Sequence, residues 1–202
     1  MSMAIHHFII ILLIINITGC SSQASEIQNG DIIFQESLSS QSDELAIITK
    51  SRYTHMGIIY KIDNQYYVYE AIKRVTLTPL DKWIKRGKDG HYVIKRLKNA
   101  DKLLTPDNLK KMKAVGKKYQ GKRYDSLFQW SNQRIYCSEL VWKIYKEALD
   151  IEIGQIQQFK DFDLTHPKVQ LMIKKRYGNE FNPEERVISP VSMYESELLK
   201  KI

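Results

Sequence analysis

Two β-type runs, Thr54-His55-Met56-Gly57-Ile58-Ile59-Tyr60 and Gln65-Tyr66-Tyr67-Val68-Tyr69-Glu70-Ala71, flank Asp63-Asn64. This hairpin signal constrains the fold more than any other stretch of the chain. With Asp63-Asn64 as a two-residue loop, Ile62 faces Gln65 and His55 faces Ile72. Glu70 then lies diagonally beside His55 on one face of the sheet, and a slip of one residue would put the two on opposite faces. A histidine beside a carboxylate is thus predicted from register alone.

The remaining pattern predicts a single α+β domain. Gly30-Asp31-Ile32-Ile33-Phe34 reads as a first strand, and the Ser-rich stretch Ser37 to Asp43 leads to a short helix over Glu44 to Thr49. A turn-rich Gly87 to Gly90 precedes a strand from His91 to Leu97. Thr105-Pro106 opens a helix running through Leu109, Met112, Val115 and Tyr119 to Gly121, with good capping chemistry. A further helix begins at Cys137 and carries Leu140, Val141, Ile144, Tyr145, Ala148 and Leu149 on one face, a stripe expected to pack on the sheet. There is no internal repeat or heptad run. About 180 residues after the first segment suit one domain with a sizeable core.

That first segment contains the apolar run from Phe8 to Cys20. It is too short to span comfortably as a mature helix and reads as the core of a secretory signal, although Met1 to His7 contains no Lys or Arg. Ile17-Thr18-Gly19-Cys20 resembles the bacterial lipobox, which implies cleavage before Cys20 and a lipid anchor on it; an ordinary cleaved signal is the alternative. The expected organisation is a lipoprotein signal over 1–19, a tether over 20–28 and a catalytic domain over 29–202. The expected location is the cell envelope, membrane-anchored and facing the periplasm or the cell exterior.

Residues 1–19 contain no Lys, Arg, Asp or Glu, so the net charge of +8 belongs to the rest of the chain. Such charge favours a solvated surface or anionic partners such as a lipid surface or an acidic wall polymer. Nucleic acid is disfavoured by the export signal and by the absence of a zinc-finger or single-strand-binding pattern. With Cys20 lipidated, Cys137 has no disulfide partner, and an exported free thiol needs a reason to exist.

A cysteine at a helix start is a nucleophile candidate, because unpaired N–H groups and the positive end of the macrodipole stabilise a thiolate. After the first segment, which contains His6 and His7, the candidate bases are His55, His91 and His166. His166 precedes Pro167 in a polar segment and reads as a surface or turn residue, and His91 opens a strand beside a Gly turn. His55 stands at the rim between a polar loop and an apolar strand and is preferred on spacing, without excluding His91. Glu70 also admits a purely structural role, paired with Lys73 or Arg74. Asp31 and Asp125 lie in separate segments without ligand spacing, so neither a metal nor any other cofactor is assigned.

Taken together, Gly30 to Phe34, Tyr53-Thr54-His55-Met56-Gly57, Tyr69-Glu70-Ala71, Gly121-Lys122-Arg123-Tyr124-Asp125 and Tyr136 to Val141 resemble the YiiX family of permuted papain-like proteins, within the wider NlpC-type superfamily. The likeness continues through Pro79 to Ile84, Lys160 to Leu164 and Val187 to Pro190. It implies a circularly permuted papain-like fold, with an antiparallel barrel-like sheet packed on the cysteine-bearing helix. It also implies Cys137 as nucleophile, His55 as base and Glu70 as the residue that orients the imidazole, with a thioester intermediate. The backbone N–H of Cys137 is the natural oxyanion donor. Tyr124 and Tyr136 are candidates to line the cleft.

The expected activity is that of an exported cysteine amidase or peptidase acting on cell-wall peptide amides. A lipid acyl hydrolase or acyltransferase is the alternative; the acyltransferases of the superfamily commonly carry a second histidine where Glu70 stands. A wall- or lipid-binding module without turnover is a third possibility. The basic segment from Lys168 to Arg186 is expected to cover the cleft or to lie on a membrane.

Overall fold

The computed structural model describes residues 26–39 and 41–202, so the expected signal, Cys20 and most of the tether lie outside the described residues. Its centre is a six-stranded antiparallel sheet built from β1 (Ile32–Ser37), β2 (His55–Ile62), β3 (Gln65–Ala71), β4 (Val75–Pro79), β5 (Gly87–Leu97) and β10 (Leu199–Lys201), in the order β10-β5-β1-β2-β3-β4. Two short pairs lie apart from it, β6 (Arg123–Tyr124) with β7 (Arg134–Ile135), and β8 (Gln157–Gln158) with β9 (Arg186–Val187). The helices are α1 (Ser42–Thr49), α2 (Leu80–Arg86), α3 (Ala100–Leu103), α4 (Pro106–Tyr119), α5 (Cys137–Leu149), α6 (Pro167–Tyr177) and α7 (Pro190–Tyr194).

The β2–β3 hairpin has the expected register. Ile62 pairs with Gln65 and Ile58 with Tyr69, while Asp63 (φ 47°) and Asn64 (φ 62°) take the left-handed conformations of a tight two-residue turn. Alternation along the strands then sorts side chains onto two faces. Ile32, Phe34, Met56, Ile58, Tyr69 and Ala71 join a core under α4 and α5, whereas Ile33, Ile59, Val68 and Ile94 pack with Trp83 of α2 on the other. His55 and Glu70 share the parity of Ile59 and Val68, which places them on the α2 side at one end of the sheet.

Gly57 lets the strands meet so closely. A Cβ there would lie 2.4 Å from Val68 Cγ1 and 2.7 Å from the Tyr69 carbonyl oxygen.

Helix α5 packs on β2, β3 and α4. Leu140, Val141, Ile144 and Tyr145 are fully buried, each worth roughly 1.5–3 kcal/mol of apolar burial. Burial is not confined to that stripe, because Trp142 and Lys143 are also enclosed. Lys143 is satisfied by Glu139, the Ser131 carbonyl and Asn132.

Gly87 to Gly90 differs from the expected turn. The segment stays within β5, and Asp89 (φ 54°) and Gly90 (φ 63°) sit where the β1–β5 register shifts, so turn chemistry here makes a bulge. Residues 26–28, within the expected tether, are held to the domain: Arg96 donates to the Glu26 carbonyl, the Tyr66 hydroxyl donates to the Ile27 carbonyl, and the Gln28 amide donates to Asp31. Among the described residues no helix is long and apolar enough to cross a membrane.

Candidate active site

Cys137 is the first residue of α5 and is almost wholly buried. Tyr136 precedes it in an extended conformation (φ −102°, ψ 170°), and the Tyr136 amide donates to Glu139 Oε2 at 3.4 Å, which secures the helix start. The segment after β9 locks the same turn from outside: Ser138 Oγ donates to the Ile188 carbonyl at 2.7 Å, and the Ile188 amide donates to the Tyr136 hydroxyl at 3.1 Å. The amides of the first turn have no partner one turn back within the helix, so they remain directed beyond its end beside the thiol.

His55, the first residue of β2, lies beside Cys137 and hydrogen-bonds Glu70. Its Nε2 lies 2.5 Å from Glu70 Oε2, and its ring stacks on Trp83 with centroids 5.9 Å apart. The structure therefore brings together the three residues singled out from the sequence. Glu70 is fully buried, and its structural alternative does not occur: its partners are neither Lys73 nor Arg74. Besides His55, Glu70 Oε2 accepts from Trp83 Nε1 at 2.9 Å and Arg86 Nη2 at 2.5 Å, and Oε1 accepts from the Thr78 hydroxyl at 2.5 Å.

Burial is the largest influence on His55 and disfavours its charge, but the hydrogen bonds and charges of Cys137 and Glu70 together outweigh it and raise the pKa to about 9. For Glu70 burial again acts first, pushing upward, yet His55 and Arg86 bring it down to about 2. At neutral pH the arrangement is an imidazolium and a guanidinium around one carboxylate, a net positive environment beside the sulfur.

Trp83, Arg86 and Thr78 were not anticipated as site residues. Their signal was the short Ile72-Lys73-Arg74 connection, which folds β4 back on β3 so that Glu70 pairs with Thr76 and shares a face with Thr78.

Tyr124 and Tyr136 have different places. Tyr124 lies near Cys137, and burial chiefly raises its pKa well above the usual phenol value, so it keeps its proton. Tyr136 is buried, packs edge-on against Phe128 at 5.2 Å, and holds Ile188. Asp125 accepts from the Leu127 and Gln129 amides and shapes the loop ahead of α5. His91 stacks on Tyr53, with centroids 6.4 Å apart, and His166 caps α6 by accepting from the Lys168 amide, so neither serves Cys137.

Two spaces meet at the site. A narrow chamber on the Cys137 side is lined by Leu45, Ile48, Phe159, Phe162, Met172 and Ile173 among others. An open cleft on the other side includes His55, Lys73, Arg86 and Tyr124, and Leu45 and Phe128 border both. The basic segment whose position the sequence left open covers the chamber, through Met172, Ile173, Tyr177 and Phe181.

A cysteine-headed helix against an antiparallel sheet that carries histidine and acid, with histidine preceding cysteine in the chain, defines a permuted papain-like thiol hydrolase. The chain belongs to the permuted papain-like amidase family, YaeF/YiiX (C92), whose model matches residues 26–202. It is 41% identical over 175 residues to the uncharacterized protein YiiX of Escherichia coli (strain K12), covering 87% of this chain and 85% of that protein. It also resembles a crystal structure described as that of the metalloprotein yiiX from Escherichia coli O157:H7. That match has a TM-score of 0.83 and 42% identity, and it covers 87% of this chain and 96% of the other.

The residues of this site do not suit a metal. Glu70 already receives four donors, two of them cationic, and Asp31 is held bidentately by Arg96. Among the described residues no three His, Cys, Asp or Glu side chains form a ligand group.

Proposed function

We propose that this amidase works through a Cys137-His55-Glu70 triad. The observation that carries the reading is the convergence of Cys137, His55 and Glu70, with His55 next to the thiol and hydrogen-bonded to Glu70. With the thiol proton already on His55, Cys137 Sγ attacks the acyl carbon. The Cys137 backbone N–H and the Tyr124 hydroxyl stabilise the oxyanion. As the C–N bond of an amide or the C–O bond of an ester breaks, His55 returns the proton to the departing amine or alcohol, leaving an acyl thioester. Water, deprotonated by His55, then releases the acid. Glu70 holds the ring and stabilises its cation throughout.

The chamber beside Cys137 favours an aliphatic acyl group, because its walls supply contact and almost no hydrogen bonds. The substrate class on this reading is an N-acyl or O-acyl lipid. A second reading, peptide amides of the cell wall, is favoured by the open polar cleft with Lys73 and Arg86. Lipidation at Cys20 and placement in the cell envelope, exposed to the periplasm or exterior, would bring the domain within reach of either substrate.

The test is intact-mass analysis of the chain and of Cys137→Ala after brief incubation with phospholipid vesicles and, separately, wall fragments. A fatty acyl adduct mapped to Cys137 supports the lipid reading, and a peptidyl adduct supports the wall reading. Equal turnover by Cys137→Ala would refute the thiol mechanism.

A further inference from the structure

We propose that a basic pocket next to the active-site cleft, formed by Lys73, Arg74, Arg123 and Arg134, binds a phosphate ester group. The backbone assembles it. Arg74 and Arg123 are partners in an isolated antiparallel bridge, and Arg123 and Arg134 are partners in the parallel β6–β7 pair. Three arginines thus stand abreast on neighbouring backbones, where partner residues are roughly 5 Å apart. The Tyr124 amide donates to the Lys73 carbonyl at 3.1 Å, which draws the fourth cation alongside. Thr76 and Tyr124 complete the lining.

All four cations are exposed, and among the described residues none forms an ion pair. Asp125 is the nearby acid, but it is buried and accepts the Leu127 and Gln129 amides. Arg74 Nη1 donates to the Gly121 carbonyl at 2.9 Å, which fixes its guanidinium in place. Like charges held this closely repel, and a dianion or phosphodiester relieves that repulsion while matching the guanidinium forks.

The pocket also adjoins the chemistry. Ile72, Lys73 and Tyr124 line both the pocket and the cleft containing His55. A phosphate here would sit on the leaving-group side of the scissile bond, opposite the apolar chamber. That role rests on the Cys137 reading, whereas binding itself does not.

The full chain carrying Cys137→Ala, in neutral maltoside micelles, separates the two, because it cannot form a thioester. Calorimetric titration would use glycerol 3-phosphate as the soluble probe and phosphatidylglycerol in mixed micelles as the lipid probe, with diacylglycerol as the uncharged control. Phosphate-dependent binding is expected, weakened on the order of 100-fold by Arg123→Gln with Arg134→Gln, about tenfold for each charge-assisted contact. Tighter binding of the lipid than of glycerol 3-phosphate assigns the site to a head group, and equal binding assigns it to a soluble phosphate ester.

The pair Arg123→Lys with Arg134→Lys keeps the charge and loses the forks, so it should bind more weakly than the parent; it carries the comparison if the glutamine pair unfolds early. Absence of binding by both phosphate probes, or parent-like binding by the substituted chains, would overturn the proposal. Failure of the thiol reading would appear separately, as acyl adducts or turnover indifferent to Cys137.

Discussion

Replacing Glu70 with Gln separates charge from shape at the centre of the site. Oε2 accepts three N–H donors, from His55, Trp83 and Arg86, while Oε1 accepts only the Thr78 hydroxyl. A glutamine with its oxygen at the Oε2 position keeps the three, and its NH2 meets a hydroxyl that can turn to accept. The network survives with its charge removed. Three bonds lose their carboxylate charge, at about 1 kcal/mol each, and the Arg86 share is discounted because that side chain is 40% exposed. Urea unfolding should therefore show a loss of about 2 kcal/mol.

The loss depends on pH in a defined direction. His55, raised from 6.5 to about 9, contributes stability that is full below 6.5 and disappears as pH rises through 9. Glu70, lowered from 4.5 to about 2, contributes stability that is full above 4.5 and disappears as pH falls through 2. The gap between parent and Glu70→Gln should be widest between pH 4.5 and 6.5 and close on either side.

Activity should follow the same charge. The alkaline limb set by His55 should move down by on the order of one pH unit in the variant, read from iodoacetamide alkylation mapped to Cys137 across pH. An unchanged alkylation profile in a folded variant would refute the role given to Glu70.

Tyr124→Phe should lower kcat on the order of 100-fold with little change in KM, because only the hydroxyl is lost; unchanged kcat would return Tyr124 to a packing role. Gly57→Ala forces a Cβ against Val68 and the Tyr69 carbonyl and should cost about 1–3 kcal/mol in urea unfolding, with accelerated hydrogen exchange in β2 and β3. Asp31→Ala strands Arg96, which binds it at 2.7 and 2.8 Å, and should cost about 3–5 kcal/mol by the same unfolding measurement.

The parts of this site legible in the sequence are those set by short-range periodicity. A two-residue loop and a period of two leave one register for β2 and β3, and that register alone places Glu70 beside His55. The start of α5 was readable for a similar reason, since an amphipathic run has to begin at some residue. The environment of Glu70 was not, because Trp83 and Arg86 arrive on α2 only after β4 has folded back. The apolar chamber was further out of reach: Leu45 and Ile48 come from α1, Phe159 and Phe162 from the loop after β8, and Met172 from α6. No local pattern records that three such separated segments converge on Cys137.

The division of the site has a kinetic consequence that follows from covalent catalysis. On the proposed mechanism the acyl part stays on Cys137 through both half-reactions, so the chamber wall would touch acylation and hydrolysis alike. The leaving group departs past His55 at the end of the first half, and the second half proceeds without it. Side chains of α6 that line the chamber should therefore act on both rates. Arg123 and Arg134 should act on acylation alone. For two substrates that share an acyl group and differ in the leaving group, the thioester is one and the same species, and its hydrolysis rate must be equal. On this proposal the basic pocket would select which molecule is cleaved without altering how fast the enzyme is freed.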